Sequence, residues 1–259
     1  PFSYTAVLFA VSGIATVLIL PKEPSSAEQP NQLFDRSQVL DQLRPPAHAP
    51  EFSRVFAART CMMAGVGLTG VFLWYLVRFW VYGKAVVLTS APLTIPAGFL
   101  IAGMAVATLI GAALASWAAG PISERIEEKN IPVARVVAGA CLLYAAGLAL
   151  AWGLGVWSTG PARENGMLLF ALISGFAFGV YDSLGLELVM DSLPDPRRAG
   201  HDLGIYALAN SAGLALAAII GALLVNAFEH SFGYYLLFPS AIVMVLLAGI
   251  VTLTTKSAE

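Results

Sequence analysis

The chain has little charge and few reactive side chains. Only 12% of its 259 residues are charged, and it holds two cysteines and three histidines, whereas soluble domains are about 25% charged. Cys61 and Cys141 both lie inside apolar runs, so no disulfide framework is predicted. No zinc, haem or phosphate-binding motif is present, so we expect neither a metal nor a cofactor. The net charge of −2 indicates no nucleic-acid partner.

Long apolar runs are what the sequence has in abundance. Each is about 19 residues or more, enough at about 1.5 Å per residue to cross a hydrocarbon core of about 30 Å. Lipid cannot satisfy backbone polar groups, so each run is predicted to be a helix in contact with the lipid bilayer. The sequence therefore predicts an all-α polytopic membrane bundle of seven transmembrane helices, over residues 2–20, 56–82, 92–118, 135–157, 167–189, 203–227 and 234–254.

A proline-rich polar segment divides these runs. Residues 22–55 contain five prolines among Ser, Gln, Glu and Asp residues, a composition that buries too little apolar surface to fold alone. We therefore predict one helix over residues 1–21, a linker over 22–55 and a six-helix bundle over 56–259. Because Pro1 already lies in an apolar run with no basic residues before it, we expect a truncated helix and not a signal peptide.

Lysine and arginine set the expected orientation. Positively charged loops stay in the cytoplasm, and a cytoplasmic linker would leave only Lys84 and Arg163 in loops on the opposite side. We therefore predict a plasma-membrane protein with its N-terminus outside and its C-terminus in the cytoplasm. On this prediction the cytoplasmic side holds Lys22, Arg36, Arg44, Arg54, Arg59, Arg125, Lys129, Arg135, Arg197, Arg198 and Lys256.

Small residues recur at four-residue spacing in three of the runs. Between helices in lipid, small residues allow the close backbone approach that holds a bundle together. The faces they form either pack tightly and stay fixed, or slide during a functional cycle. Both alternatives place inside the bundle the residues Gly103, Gly111, Gly175, Gly179, Gly213 and Gly221.

The polar stretch at residues 120–132 reads GPISERIEEKNIP. It resembles the signature loop between paired helices of the major facilitator superfamily (MFS). An acidic residue in such a loop can cap a helix N-terminus, and an arginine can bind carbonyls or acids. Glu127 and Glu128 depart from the family pattern, at a glycine and a basic position. The matching positions are Gly120, Glu124 (where Asp is usual), Arg125 and Lys129.

Residues 174–225 resemble the tenth and eleventh helices of bacterial facilitator transporters, with a glycine-rich entry at Gly175 and a helix end at Pro194. The resemblance implies that residues 1–21 are the last transmembrane helix of an N-terminal half, 22–55 the cytoplasmic central loop, and 56–259 the C-terminal half of a twelve-helix permease. It implies a secondary active transporter, with a small-molecule substrate moved by alternating access and a missing N-terminal half as partner.

Two other classes of function remain as alternatives, an integral membrane enzyme and a non-transporting membrane scaffold. An enzyme would need a polar cluster at one interface, and the short apolar loop after residue 82 argues against it. We therefore predict no enzymatic activity and no catalytic residue.

Four polar residues inside the apolar runs are candidates for substrate binding or proton coupling. A charge at the bilayer centre costs about 2.5–3.5 kcal/mol on insertion scales, so such residues usually have a function. Asp182 is expected to be buried beside Asn210, either as a protonatable coupling group or as a structural acid bonded to that amide. Arg78 and Glu187 lie near run ends, where either side chain can instead reach the interface.

Overall fold

A computed structural model describes residues 50–82, 94–157, 161–193, 199–228 and 230–255. Every regular element within them is helical, which confirms the predicted all-α class. The run at residues 2–20 and the linker up to residue 49 lie outside the described residues. The elements are α1 (Pro50–Gly70), α2 (Leu73–Tyr75), a π-helix (Leu76–Val81), α3 (Thr94–Glu128), α4 (Val133–Trp157), α5 (Pro161–Asp191), α6 (Ala199–Ala227) and α7 (His230–Leu253).

Five of these helices, α3 to α7, are long and apolar enough to cross a membrane. The described part of the chain is therefore a polytopic membrane bundle.

The run at residues 56–82 differs from the prediction of one continuous helix. It begins earlier, at Pro50, and α1 ends at Gly70, after which a turn, α2 and the π-helix complete it. Glycine weakens a helix, and the aromatic residues that follow lose side-chain freedom in one.

Neighbouring helices follow the order α3, α5, α4, α7, α1, α6. The chain therefore does not pack its helices in sequence order. Helices α4 and α7 pack against each other. Helix α4 also packs against α5, and α7 against α1, while α3 and α6 lie at the two ends of the series. This arrangement brings α1 and α5, which are far apart in sequence, to face each other.

Two hydrogen bonds show which helix ends lie together. Arg54 Nη1 donates to the carbonyl of Thr254 at 3.1 Å, which joins the start of α1 to the end of α7. Arg163 Nη1 donates to the carbonyl of Trp80 at 3.1 Å, which joins the start of α5 to the end of the π-helix. At this second end the Trp80 and Tyr235 rings pack edge to face, 4.8 Å apart, as residues of one aromatic belt can.

Glycines bring α3 and α5 into backbone contact. A Cβ on Gly175 would overlap the carbonyl of Thr108. A Cβ on Gly111 would lie 2.7 Å from the backbone nitrogen of Phe176. Gly213 of α6 is equally close to α1, with the carbonyl of Thr60 2.7 Å from its would-be Cβ. These three positions tolerate no side chain without helix displacement.

The other three small-residue positions also face neighbouring helices. In each case the atom nearest to an added Cβ would belong to a side chain: Leu168 at 3.1 Å from Gly103, Ala115 at 2.6 Å from Gly179, and the Phe72 ring against Gly221.

The signature stretch is mostly helix, which corrects its prediction as a loop. Helix α3 continues through Pro121 to Glu128, so Gly120, Glu124 and Arg125 are helical and exposed. Neighbouring helices let a membrane helix tolerate such a proline.

The turn after α3 begins at Lys129 and has the geometry of a Schellman cap. Asn130 has φ of 49°, its N–H donates to the carbonyl of Glu127, and the N–H of Ile131 donates to that of Ile126. Asparagine is one of the few residues that adopts this conformation readily, so the helix ends here.

Gly175→Ala is expected to destabilise the protein by about 1–3 kcal/mol, because the added methyl would overlap the α3 backbone. Gly185→Ala is the matched control, since it lies in the same helix and its Cβ would meet nothing within 4 Å. The control should be neutral or stabilising by up to about 1 kcal/mol. Denaturant unfolding of the purified variants measures both, and equal effects would contradict close α3–α5 packing.

Candidate functional site

Arg59 is a buried cation in the middle of α1. Its residue is 8% exposed, and it lies about 14 Å along the helix from Pro50. The sequence analysis counted Arg59 with the positive charges of the cytoplasmic side, whereas its side chain is buried among the helices. Because α1 begins at Pro50, six positions before the predicted apolar run, Arg59 lies more than two turns inside the helix and not at its first turn.

Arg59 joins three helices. Its Nη1 lies 2.7 Å from Asp182 Oδ1 of α5, an ion pair. Its Nε donates to Asn210 Oδ1 of α6, also at 2.7 Å. A buried charge is tolerated only with such partners, because desolvation otherwise costs several kcal/mol.

Aromatic rings complete the surroundings of the guanidinium. Its central carbon lies 5.6 Å from the ring centroids of Phe178 and Tyr181, and 5.7 Å from that of Tyr206. Each distance is within cation–π range. Phe178 and Tyr181 come from α5 and Tyr206 from α6, so the same two helices supply the polar partners and the rings.

Asp182 differs from its predicted environment. We expected a carboxyl group buried between α5 and α6, whereas the side chain is 56% exposed and is paired with α1. Its helical register explains this, because Asp182 and Ser183 fall on the exposed face of α5 while Tyr181 and Leu184 point inward. The expected proximity to Asn210 arises through Arg59, which binds both side chains.

A cavity of about 390 Å³ opens beside this ion pair. It lies mainly between α3 and α5, with one residue each from α1 and α4, and Asp182 is the only charged residue among the described residues that line it. The lining residues are Val66, Thr108, Ala112, Ser116, Tyr144, Ser174, Gly175, Phe178, Gly179, Asp182 and Ser183.

The cavity hydroxyls donate to their own helices. Thr108 Oγ1 donates to the Met104 carbonyl at 2.9 Å, and Ser116 Oγ to the Ala112 carbonyl at 3.1 Å. Ser183 Oγ likewise donates to the Gly179 carbonyl at 2.9 Å. These bonds use the hydroxyl protons, so the oxygens are left as acceptors.

The remaining sequence candidates lie elsewhere. Arg78 is half-buried in the π-helix, towards the bundle end that contains Trp80. Glu187 is exposed on α5, one turn beyond Ser183, and does not line the cavity. Of the four intramembrane candidates, the structure brings only Asp182 and Asn210 together. Within the described ranges, no group of three or more His, Cys, Asp or Glu residues could hold a metal ion.

Sequence reasoning missed Arg59 and its three aromatic neighbours. The sequence does contain a signal for the buried arginine. The apolar residues Phe52, Val55 and Met62 share a helical face with Arg59, and the structure buries all three. A charged residue within an apolar stripe of that period indicates a buried cation with a partner elsewhere.

A comparison with family models supplies the wider context. The model of the Major Facilitator Superfamily matches residues 109–259, which is more than half of the chain and includes Asp182 and Asn210. The chain belongs to the Major Facilitator Superfamily. This membership confirms the resemblance seen in the sequence and identifies a multi-pass membrane transporter. No curated protein and no solved structure matches the chain.

The MFS match also divides the site. Asp182 and Asn210 lie inside the matched region, whereas Arg59 lies upstream of it. The ion pair therefore links the matched helices to α1, which the family model does not cover.

Arg59→Lys is expected to destabilise this MFS protein by about 1–3 kcal/mol. A lysine ammonium cannot reproduce the separate Nε and Nη1 contacts of the planar guanidinium, so either Asp182 or Asn210 loses its partner. Thermal unfolding of the purified protein in detergent measures the effect. Arg54→Lys is the control, since Arg54 is 42% exposed in its side chain and pairs with Glu51 at the surface. An Arg59→Lys protein as stable as the control would contradict the bridging role.

Proposed function

We propose that this chain is the C-terminal half of a secondary active transporter that carries a small molecule by alternating access. Residues 1–21 are then the last helix of an N-terminal half, which acts as the partner, and residues 22–55 are the central loop. Family membership supports transport in general. The six described helical regions from α1 to α7 support the half-transporter arrangement, with the run at residues 56–82 counted as one.

The observation that carries the proposal is the ion pair beside a cavity within the membrane bundle. Arg59, Asp182 and Asn210 come from three helices that a conformational change can move apart. A cavity of about 390 Å³ is within the size range of small-molecule sites. Charged pairs kept inside a membrane are costly, so function and not stability accounts best for this one.

We propose that the protein lies in the plasma membrane with its N-terminus outside and its C-terminus cytoplasmic. The excess of Lys and Arg on the predicted cytoplasmic side supports this orientation, even when Arg59 is not counted. Cysteines introduced singly at Ser26 and Arg163, with Cys61 and Cys141 replaced, test it in intact cells. An impermeant maleimide should label Arg163→Cys from outside and leave Ser26→Cys unlabelled. The reverse pattern would overturn the orientation.

Alternating access predicts that one residue in the cavity is reached from both sides. In the cysteine-free background, Ser183→Cys in the complete transporter should react with a charged thiosulfonate added outside or enclosed within liposomes. Leu142→Cys on α4 is the control, because its side chain is exposed on an apolar outer surface and a thiol in lipid forms no reactive thiolate. Mass spectrometry measures the labelled fraction. Labelling of Ser183→Cys from one side alone would contradict alternating access.

We propose Asp182 as the proton-coupling group, because protonation removes its attraction for Arg59. The ratio of outside to inside labelling of Ser183→Cys should then depend on pH. The ratio cancels the effect of pH on thiol reactivity itself. Adding Asp182→Asn should abolish the change, while Glu187→Gln should preserve it. An unchanged pH response in Asp182→Asn would place coupling at another residue.

A further inference from the structure

The cavity wall offers a negative charge and hydrogen-bond acceptors, and this combination identifies a ligand class. We propose that the cavity binds small organic cations, ammonium compounds above all, with Asp182 as the carboxylate that recognises them. The proposal rests on the proposed transport function and names the substrate class for the same site.

The charge that reaches the cavity is that of Asp182 and not that of Arg59. Asp182 lines the cavity with a side chain that is 56% exposed, whereas the Arg59 side chain is 9% exposed and is absent from the lining. Arg59 is also covered by three aromatic rings and held by Asn210. An anion entering the cavity would meet the carboxylate first, and like charges repel.

The neutral polar groups of the wall favour the same ligand. Four lining hydroxyls, those of Thr108, Ser116, Ser174 and Ser183, donate their protons to carbonyls of their own helices. A hydroxyl that donates in this way still has oxygen lone pairs to offer. The wall is therefore rich in acceptors, which suits a ligand with N–H or polarised C–H groups.

Aromatic residues add a third contribution. Phe178 and Tyr144 both line the cavity, on α5 and α4. An ammonium group over an aromatic face gains about 0.5–2 kcal/mol, more when water is excluded. The Arg59 Cζ atom lies 5.6 Å from the centroid of the Phe178 ring. An entering cation would therefore approach the same ring and the same carboxylate that Arg59 contacts. Arg59 is thus a built-in competitor of the ligand.

The test measures binding to the purified complete transporter in nanodiscs, by equilibrium dialysis with three probes of similar size. The probes are benzyltrimethylammonium, which is cationic, benzyl alcohol, which is neutral, and phenylacetate, which is anionic. We expect the cation to bind at least about tenfold more tightly than either other probe, a difference of about 1.4 kcal/mol.

Variants assign the preference to Asp182. Asp182→Asn should weaken binding of the cation by about tenfold or more, while Asp182→Glu retains the preference for it. Glu187→Gln is the matched control, because it removes the same charge from the same helix outside the cavity lining, and its affinity should stay within about twofold. Arg59→Gln should strengthen binding, since it removes the competitor. Should Asp182→Asn not fold, the double variant with Arg59→Gln removes both charges and should bind as weakly.

Three results would overturn the proposal: phenylacetate binding as tightly as the cation, no binding of the cation by folded protein, or equal losses in Asp182→Asn and Glu187→Gln. These outcomes are separate from failure of the transport proposal. Dialysis needs no transport, and two-sided labelling of Ser183→Cys uses no substrate. A protein that alternates but prefers phenylacetate would keep its proposed function and lose its proposed substrate class.

Discussion

A single buried cation organises the centre of this bundle. Arg59 cannot be left without counter-charge in a low-dielectric interior, so α5 and α6 must present Asp182 and Asn210 to α1 at hydrogen-bond distance. The order of helix neighbours places α1 between α7 and α6, with α5 facing it. The polar contacts thus hold together helices that apolar packing alone would leave free to slide, because lipid and side chains are equally apolar.

The glycine contacts and the ion pair restrain different helix pairs. Gly111 and Gly175 fix α3 against α5, and Gly213 fixes α6 against α1. Arg59 connects these two units beside the cavity through its ion pair with Asp182. An ion pair, unlike these backbone contacts, can be broken by a proton or a competing cation. The molecule therefore combines two closely packed helix pairs with a breakable ion pair between α1 and α5.

Hydrophobic run length was enough to predict the all-α membrane class, because lipid leaves the backbone few options. Helix ends were less predictable: α3 runs through a stretch containing Gly120 and Pro121, since tertiary packing outweighs local propensity. Asp182 was predictable as a site candidate, but its exposure was not. Its partner Arg59 lies on another helix, and a single sequence does not show which distant segments come into contact. The only sequence feature that points to this pair is a charged residue among apolar residues on one helical face.

The position of Arg59 early in the chain has a consequence for biogenesis. Helix α1 leaves the ribosome long before α6, since Arg59 and Asn210 are separated by 151 positions. During that interval the arginine lacks Asp182 and Asn210, and a central arginine costs about 2.5–3.5 kcal/mol on insertion. Helix α1 is also outside the five helices apolar enough to span by composition. Stable membrane integration of α1 is therefore expected to depend on helices made later, because these supply the partners of Arg59.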